Sequence, residues 1–219
     1  MDIKFTKEYS PTEFMEKARS VGNNFILFLP KSHEDTITTA GGLQLFSDPK
    51  WSEADKRAYS ARMVSAPKEL EDKIPRGCDI WFKHNMVAIK RDKVTDHMLK
   101  DGYYWLPYTD SYENNINNQA IAYRDTDGSI KTLGWFTLVK PYGSTDEDVK
   151  SSVIEVVSFK EKAMNLGRIF SISDNAKNMF GVDVGDIIYY KKNQRYRVEI
   201  DGETYYRIRP QGILGQWEE

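Results

Sequence analysis

The chain has 219 residues, room for one large domain or two small ones, and its 40% hydrophobic, 29% charged and 13% aromatic side chains are enough for a packed core and argue against wholesale disorder. With 31 Lys and Arg against 33 Asp and Glu, the formal net charge is −2, which gives no general drive toward nucleic acid or an anionic membrane. The single cysteine, Cys78, excludes an internal disulfide framework, the apolar runs are too short to span a bilayer, and MDIKFTKEYS at the start has no apolar stretch of signal-peptide type, so the expected setting is the cytoplasm.

The first predicted element is a helix. Ser10, Pro11 and Glu13 have the layout of a capping box with proline at the first helical position, and Phe14, Met15 and Ala18 give a small apolar face, so a short helix is expected to end near Gly22. From Asn23 the period changes. Residues 25–29 are a continuous apolar run ending at Pro30, which predicts a buried strand. Further strands are predicted over 59–65, 79–82, 86–89, 102–107, 120–124, 134–139, 168–172, 186–190, 196–200 and 204–209, separated by Gly, Asn, Asp and Pro. Asp127-Gly128 and Asp201-Gly202 each stand between strand-like runs and suit type I′ hairpin turns. Two long segments, 31–57 and 142–166, interrupt the pattern, and loops of that length within a compact domain are usually functional. The fold class is therefore mainly β, a sandwich or small barrels.

The two halves of the sequence resemble each other. Each has an apolar strand ending in proline (25–30 and 136–141), a long polar segment, a further strand, and a Gly-led apolar element: Gly77-Cys78-Asp79-Ile80-Trp81-Phe82 and Gly185-Asp186-Ile187-Ile188-Tyr189-Tyr190. The offset from Phe25 to Phe136 is close to that from Gly77 to Gly185, which predicts two copies of one β-domain. The expected division is 1–22 for the helix and lead-in, 23–128 for the first barrel and 129–219 for the second.

Val184-Gly185-Asp186-Ile187-Ile188-Tyr189-Tyr190, the run 196–202, Tyr205-Tyr206-Arg207-Ile208 and the end Ile213-Leu214-Gly215-Gln216-Trp217-Glu218 resemble, in that order, the C-terminal part of GroES-like co-chaperonins. Leu166-Gly167-Arg168-Ile169-Phe170-Ser171-Ile172 is similar to that family's R-G-x-V strand. In the first half, Ala40-Gly41-Gly42-Leu43-Gln44-Leu45 resembles the mobile-loop motif of the family, Ala-Gly-Gly followed by an apolar tripeptide. Gln44 stands where the family has an apolar residue, residues 59–65 lack the family's glycine, and 90–118 is longer than the matching family segment. The resemblance implies two tandem GroES-like small β-barrels and a co-chaperonin: a non-enzymatic lid without cofactor that forms a homo-oligomeric ring, docks on an ATP-dependent GroEL-like chaperonin ring and closes its folding chamber over client proteins. Gly41 and Gly42 would then be the hinge, Leu43, Gln44 and Leu45 the docking tripeptide, and Phe46 an addition to it. In the second half Val153, Ile154 and Val156 fall where the tripeptide belongs, in a stretch that equally fits an amphipathic helix. The divergence from the family pattern, the Asn-rich run 114–118 and the decorated first repeat point to a phage-encoded form working in host cytoplasm on a viral client such as a capsid protein.

Physical chemistry points the same way. Gly41-Gly42 gives high backbone freedom, and Leu43, Leu45 and Phe46 follow directly on a polar-flanked loop, where exposed apolar groups mark an interaction site. Ordering such a loop costs entropy, so each contact is weak and a ring of copies restores avidity. The other reading is a hairpin tip that folds back to bury Leu43 and Leu45. Ile213, Leu214 and Trp217, and likewise residues 25–29, fit either strand pairing with a neighbour or a private core. A scaffold or virion-assembly protein that reuses the barrels without chaperonin contact is the second function class.

Other candidates carry less. His33, His84, His97 and Cys78 have no pair at zinc-like spacing, so no metal site is expected. No G-x-G-x-x-G after a strand and no G-x-S-x-G elbow is present. Cys78 reads as a core thiol, Asp146-Glu147-Asp148 as a solvated loop, Tyr103, Tyr104, Trp105, Tyr108 and Tyr112 as packing, and Lys191, Lys192 and Arg195 as edge-strand protection.

Overall fold

The computed structural model describes residues 11–29, 36–38, 41–46, 59–83, 86, 97–100, 102–114, 118–142 and 165–217. In chain order its elements are α1 (Pro11–Lys17), β1 (Asn24–Phe28), β2 (Thr36–Thr38), β3 (Gln44–Phe46), β4 (Ser60–Ser65), β5 (Asp79–Phe82), β6 (Met98–Lys100), β7 (Tyr103–Pro107), β8 (Ala120–Arg124), β9 (Ile130–Thr132), β10 (Thr137–Pro141), β11 (Asn165–Ile172), α2 (Asp174–Phe180), β12 (Ile187–Tyr190), β13 (Arg195–Ile200), β14 (Glu203–Ile208) and β15 (Ile213–Trp217). The protein is mainly β and holds two large antiparallel sheets. The strand order is β6-β7-β1-β4-β5-β8-β9 in one sheet and β13-β14-β10-β11-β12-β15 in the other, while β2 and β3 form a small sheet of their own.

β9 aside, the two orders are the same. A hairpin lies beside the first strand of each repeat, then come the second, third and last strands. The likeness extends to irregularities. A bulge breaks the register between Ile26 and Leu27 opposite Ser65 and Met63, and another between Leu138 and Val139 opposite Ser171 and Ile169. A second pair of bulges falls between Trp81 and Phe82 and between Tyr189 and Tyr190. These registers match Ile26 with Leu138, one residue beyond the Phe25–Phe136 alignment expected from sequence. A one-residue slip exchanges the two faces of a strand, so Phe25 corresponds to Thr137, and both are fully buried.

Each repeat also closes its third strand with the same clasp. Gly77 (φ +75°) and Gly185 (φ +96°) turn the chain in the left-handed region where glycine carries no steric cost. The Gly77 amide donates to Met63 O at 2.8 Å and the Gly185 amide to Ile169 O at 2.9 Å. Arg62 Nη1 donates to the Gly77 carbonyl at 2.7 Å, and Arg168 Nη1 to the Gly185 carbonyl at 2.9 Å.

By contact the chain divides into two compact units, Met1–Thr109 with Asn117–Ser129, and Asp110–Ile116 with Ile130–Glu219. In the first, α1 ends at Lys17, earlier than the expected end near Gly22. Its last carbonyls are taken by arginines: Arg76 Nη2 donates to Met15 O (2.5 Å) and Ala18 O (3.2 Å), and Arg19 Nη1 to Glu16 O (2.8 Å). β1 alternates, with Phe25 and Leu27 fully buried and Ile26 and Phe28 half-buried, and it lies between β7 and β4. Both its edges are paired, so residues 25–29 are core and offer no strand edge to a neighbour. Met63, Ile80, Phe82, Leu106 and Ile121 are fully buried in the same unit.

In the second unit Val139, Ile169, Val182, Ile188, Tyr190 and Ile208 form one cluster, with Ile172, Phe180, Tyr206 and Ile213 packed on it. Trp135 Nε1 donates to Asp110 O and Asn175 Nδ2 to Asp110 Oδ1, each at 2.7 Å, and Tyr112 meets Trp135 edge-on at 5.2 Å. The expected strand over 134–139 starts later, at Thr137, because Gly134 (φ +61°) makes a turn that the Phe136 amide closes on Leu133 O. The hairpins divide. Asp201 (φ +54°) and Gly202 (φ +79°) make the expected type I′ turn, and Asp201 is the one non-glycine residue with positive φ among those described. At Asp127-Gly128 only Gly128 (φ +84°) is left-handed. Its amide donates to Asp125 O and the Asp125 amide to Ser129 O, a three-residue loop with a glycine bulge in place of type I′. Of the strand expected over 86–89, Met86 alone is described, and its amide closes a turn on Lys83 O.

Candidate functional site

The connection between β1 and β4 carries the β2–β3 hairpin. Thr36 pairs with Phe46, Ile37 with Leu45 and Thr38 with Gln44. The β-branched Thr-Ile-Thr run suits an extended ribbon, a signal readable in the sequence but absorbed there into a polar loop. The chain reverses through Gly41, Gly42 and Leu43, all exposed. Gly42 has φ +80°, and a Cβ built on it would meet no atom within 4 Å, so glycine is required there by the backbone and not by space. Leu43 is 62% exposed at the tip, so it is not folded back into its own unit. Gln44, Leu45 and Phe46 follow in β3, so the six candidate residues occupy one tip and one strand of one ribbon. Val153, Ile154 and Val156 lie outside the described residues, as do His33, His84 and Asp146-Glu147-Asp148.

A second surface lies at β15, the last strand of the six-strand sheet, which pairs with β12 through Ile187–Trp217, Ile188–Gln216, Tyr189–Gly215 and Tyr190–Ile213. Its equivalent in the first sheet is β8. Ile121 and Ala122 of β8 are fully buried, whereas Leu214 and Trp217 of β15 are 56% and 45% exposed. The row of side chains across three strands differs too. In the first sheet Asp79 sits between Arg62 Nη1 (3.6 Å) and Arg124 Nε (3.5 Å), and the Arg124 guanidinium lies over the Trp81 ring at 5.2 Å. At the matching positions of the second sheet stand Arg168, Ile187 and Trp217, with Trp217 edge-on to Tyr189 at 5.6 Å. The aspartate and second arginine of the ionic row in one repeat are replaced by Ile187 and Trp217 in the other, beside an arginine that both keep. Periodicity alone does not show this, because it needs the register.

The remaining candidates resolve by burial. Tyr103, Tyr104 and Tyr108 are buried, as expected of packing residues. Phe28 packs on Tyr103 with tilted rings 4.9 Å apart, and Phe25 meets Tyr108 edge-on at 5.5 Å. Cys78 is half-buried in the turn just before β5 and is not the core thiol expected; its thiol is still pushed up to about 11, first by partial burial and then by the neighbouring Asp79 carboxylate, which suppresses the thiolate needed of a nucleophile. His97 packs on Trp105 at 4.5 Å. Among the described residues no three His, Cys, Asp or Glu side chains gather into a metal-holding group, and no helix is long and apolar enough to cross a membrane.

Residues 129–217 match the family described as chaperonin 10 Kd subunit, Cpn10. No curated protein matches the chain. The matched segment carries the third-strand glycine turn, the β13–β14 hairpin and the terminal strand, in the sheet order that the first half repeats. Over residues 129–217 the chain is thus similar to the GroES-like, ten-kilodalton co-chaperonin family.

Proposed function

We propose that the chain is a co-chaperonin lid that docks on the rim of a GroEL-like, ATP-dependent chaperonin ring through the β2–β3 hairpin and closes the folding chamber over a client protein in the cytoplasm. The observation that carries this reading is Leu43, 62% exposed at a glycine-turned tip in a sheet separate from the two large ones. An isolated two-stranded ribbon is marginal in water. It gains stability when its apolar tip and strand enter a groove, and the ordering cost keeps each contact weak enough to release. Gly41 and Gly42 are the hinge, Leu43, Gln44 and Leu45 the docking residues, and Phe46 extends the contact. The lid forms a ring of copies, and the exposed apolar strand β15 supplies its self-association surface, with Leu214 and Trp217 outermost. The chain itself performs no catalysis, and nucleotide hydrolysis belongs to the partner.

Co-sedimentation with a bacterial chaperonin in the presence of ATP or ADP tests this reading, with the wild type beside Leu43→Asp. The wild type is expected to pellet with the chaperonin only when nucleotide is present, and the variant to remain in the supernatant. Binding that survives Leu43→Asp refutes the assignment of the tip. Failure of the wild type to bind any chaperonin tested, its host's included, refutes the lid.

A further inference from the structure

The β13–β14 hairpin is polarised along its length. Its turn end carries Glu199, Asp201 and Glu203, and its base carries Lys191, Lys192, Arg195, Arg197, Arg207 and Arg209. At the base Arg207 is only 3% exposed. It stands in register between Leu138 of β10 and Tyr196 of β13, with its guanidinium 4.6 Å from the centre of the Phe136 ring and 5.3 Å from that of Tyr196. The two rings attract the cation through their faces. Ring faces do not replace in-plane acceptors, however, and Arg207 Nε and Nη1 are buried without one among the described residues. Arg209, two residues along and half-buried, has its Nε in the same condition.

No described carboxylate pairs with either arginine. The guanidinium of Arg207 is held below its ordinary range first by burial and then by the like charge of Arg209. A buried cation without a counter-charge, with orphaned N–H groups, is costly, and lining up a second cation beside it raises the cost. Such an arrangement is stabilised by one ligand class. An oxyanion accepts charge-assisted hydrogen bonds from both guanidinium groups and cancels their repulsion, and the basic hairpin base raises its local concentration. We propose that Arg207 and Arg209 form a binding site for a phosphate-class oxyanion, entered from the half-exposed side of Arg209. The site is on a different element from the β2–β3 hairpin and does not depend on chaperonin docking.

The test uses the full chain and inorganic phosphate, titrated against chloride at matched ionic strength, with melting temperature and calorimetry as readouts. One phosphate is expected to bind per chain and to raise the melting temperature by about 3 °C at tenfold excess over its dissociation constant. Arg209→Met, at a half-exposed position where folding is expected to survive, should remove the saturable heat, and Arg207→Lys should weaken it at least tenfold. The exposed pair Lys191→Met/Lys192→Met, which adds only to the long-range field of the hairpin base, should weaken it no more than about twofold. Equal shifts in the wild type and Arg209→Met, or equal loss in the lysine pair, would show only a diffuse effect of charge and overturn the site. Absence of saturable heat in the wild type overturns it outright.

Discussion

Gly167→Ala is the sharpest test of the packing between β10, β11 and β12. Gly167 has ordinary strand torsions, so the reason for glycine is space. A Cβ there would stand 2.8 Å from Val139 Cγ2, 2.9 Å from Val139 Cβ and 3.0 Å from Tyr190 Cε1. Val139 is fully buried and Tyr190 is 3% exposed, so neither can swing into solvent. Overpacking of this kind costs ~1–3 kcal/mol. The smaller unfolded-state entropy of alanine returns ~0.4–1 kcal/mol. The net loss is then about 1–2 kcal/mol, read as a lower urea midpoint at unchanged slope. The first repeat supplies the control. The registers place Ala61 opposite Ile80 where Gly167 stands opposite Ile188, and Ala61 is buried at 8% exposure. Ala61→Gly should therefore also destabilise, by roughly 0.5–1 kcal/mol, so each residue suits only its own repeat. Combining Gly167→Ala with Val139→Ala removes the closest contacting atom, and the pair should cost less than the two single losses added. A Gly167→Ala variant as stable as the wild type, or strict additivity with Val139→Ala, would refute the packing assigned here.

Cys78 should react with iodoacetamide at pH 8 about a hundredfold more slowly than an unperturbed thiol, because raising its ionisation from near 9 to about 11 cuts the thiolate fraction by that factor; reaction at the rate of a free thiol peptide would contradict its burial. The same shift fixes a sign. The folded state keeps its proton where the unfolded chain loses one, so the contribution of Cys78 is complete below pH 9 and is lost as pH rises toward 11, which urea midpoints at pH 8 and 10.5 will show against Cys78→Ala. Trp217→Arg, at a 45% exposed position, places on β15 the charge that Arg124 carries on β8 and should shift the protein toward monomer in sedimentation velocity, with a loss of no more than about 1 kcal/mol of stability read from urea midpoints; an unchanged oligomer would exclude β15 as the association surface.

The strands were legible in the sequence where alternation and turn residues coincide, as at β4, β5, β8 and β12, whose observed bounds fall within a residue of those expected. The elements that escaped were short or carried by capping. α2 spans Asp174–Phe180, with Ser173 Oγ accepting from the Ala176 amide and Gly181 (φ +67°) closing its end, so its Ser-Asp start and Gly stop were visible although its apolar period was not. β6, β9, β2 and β3 have three residues each, too few for a period. The glycine tip was legible as chemistry: Gly41-Gly42-Leu43 could be picked out without coordinates, whereas the pairing of Thr36–Thr38 with Gln44–Phe46 could not. Bulges are the deeper obstacle. They leave no mark in composition, and it is their shared position that fixes the register of the first strand and shows the Phe25–Phe136 alignment to be one residue off, on the wrong face.

That alignment decides what the two repeats share and what they do not. Both keep the bulges and the arginine that donates to the turn glycine, because these fix the course of the second and third strands. They differ in the row that the clasp arginine begins. Arg62, Asp79 and Arg124 keep the face of the first repeat hydrated, and such partly exposed ion pairs add little to stability. In the second sheet Ile187 is buried at 3% exposure, and the apolar surface left open is Leu214 and Trp217 on β15 itself. Exposed apolar side chains on an edge strand invite another strand to add to it; β15 is such an edge, whereas its counterpart β8 is already paired with β9. The same strand order thus carries a charged outer row in one repeat and Trp217 over a buried isoleucine position in the other. On the proposed lid reading, β15 is the edge strand on which a neighbouring copy would add, and its counterpart in the first repeat is closed to that role by β9.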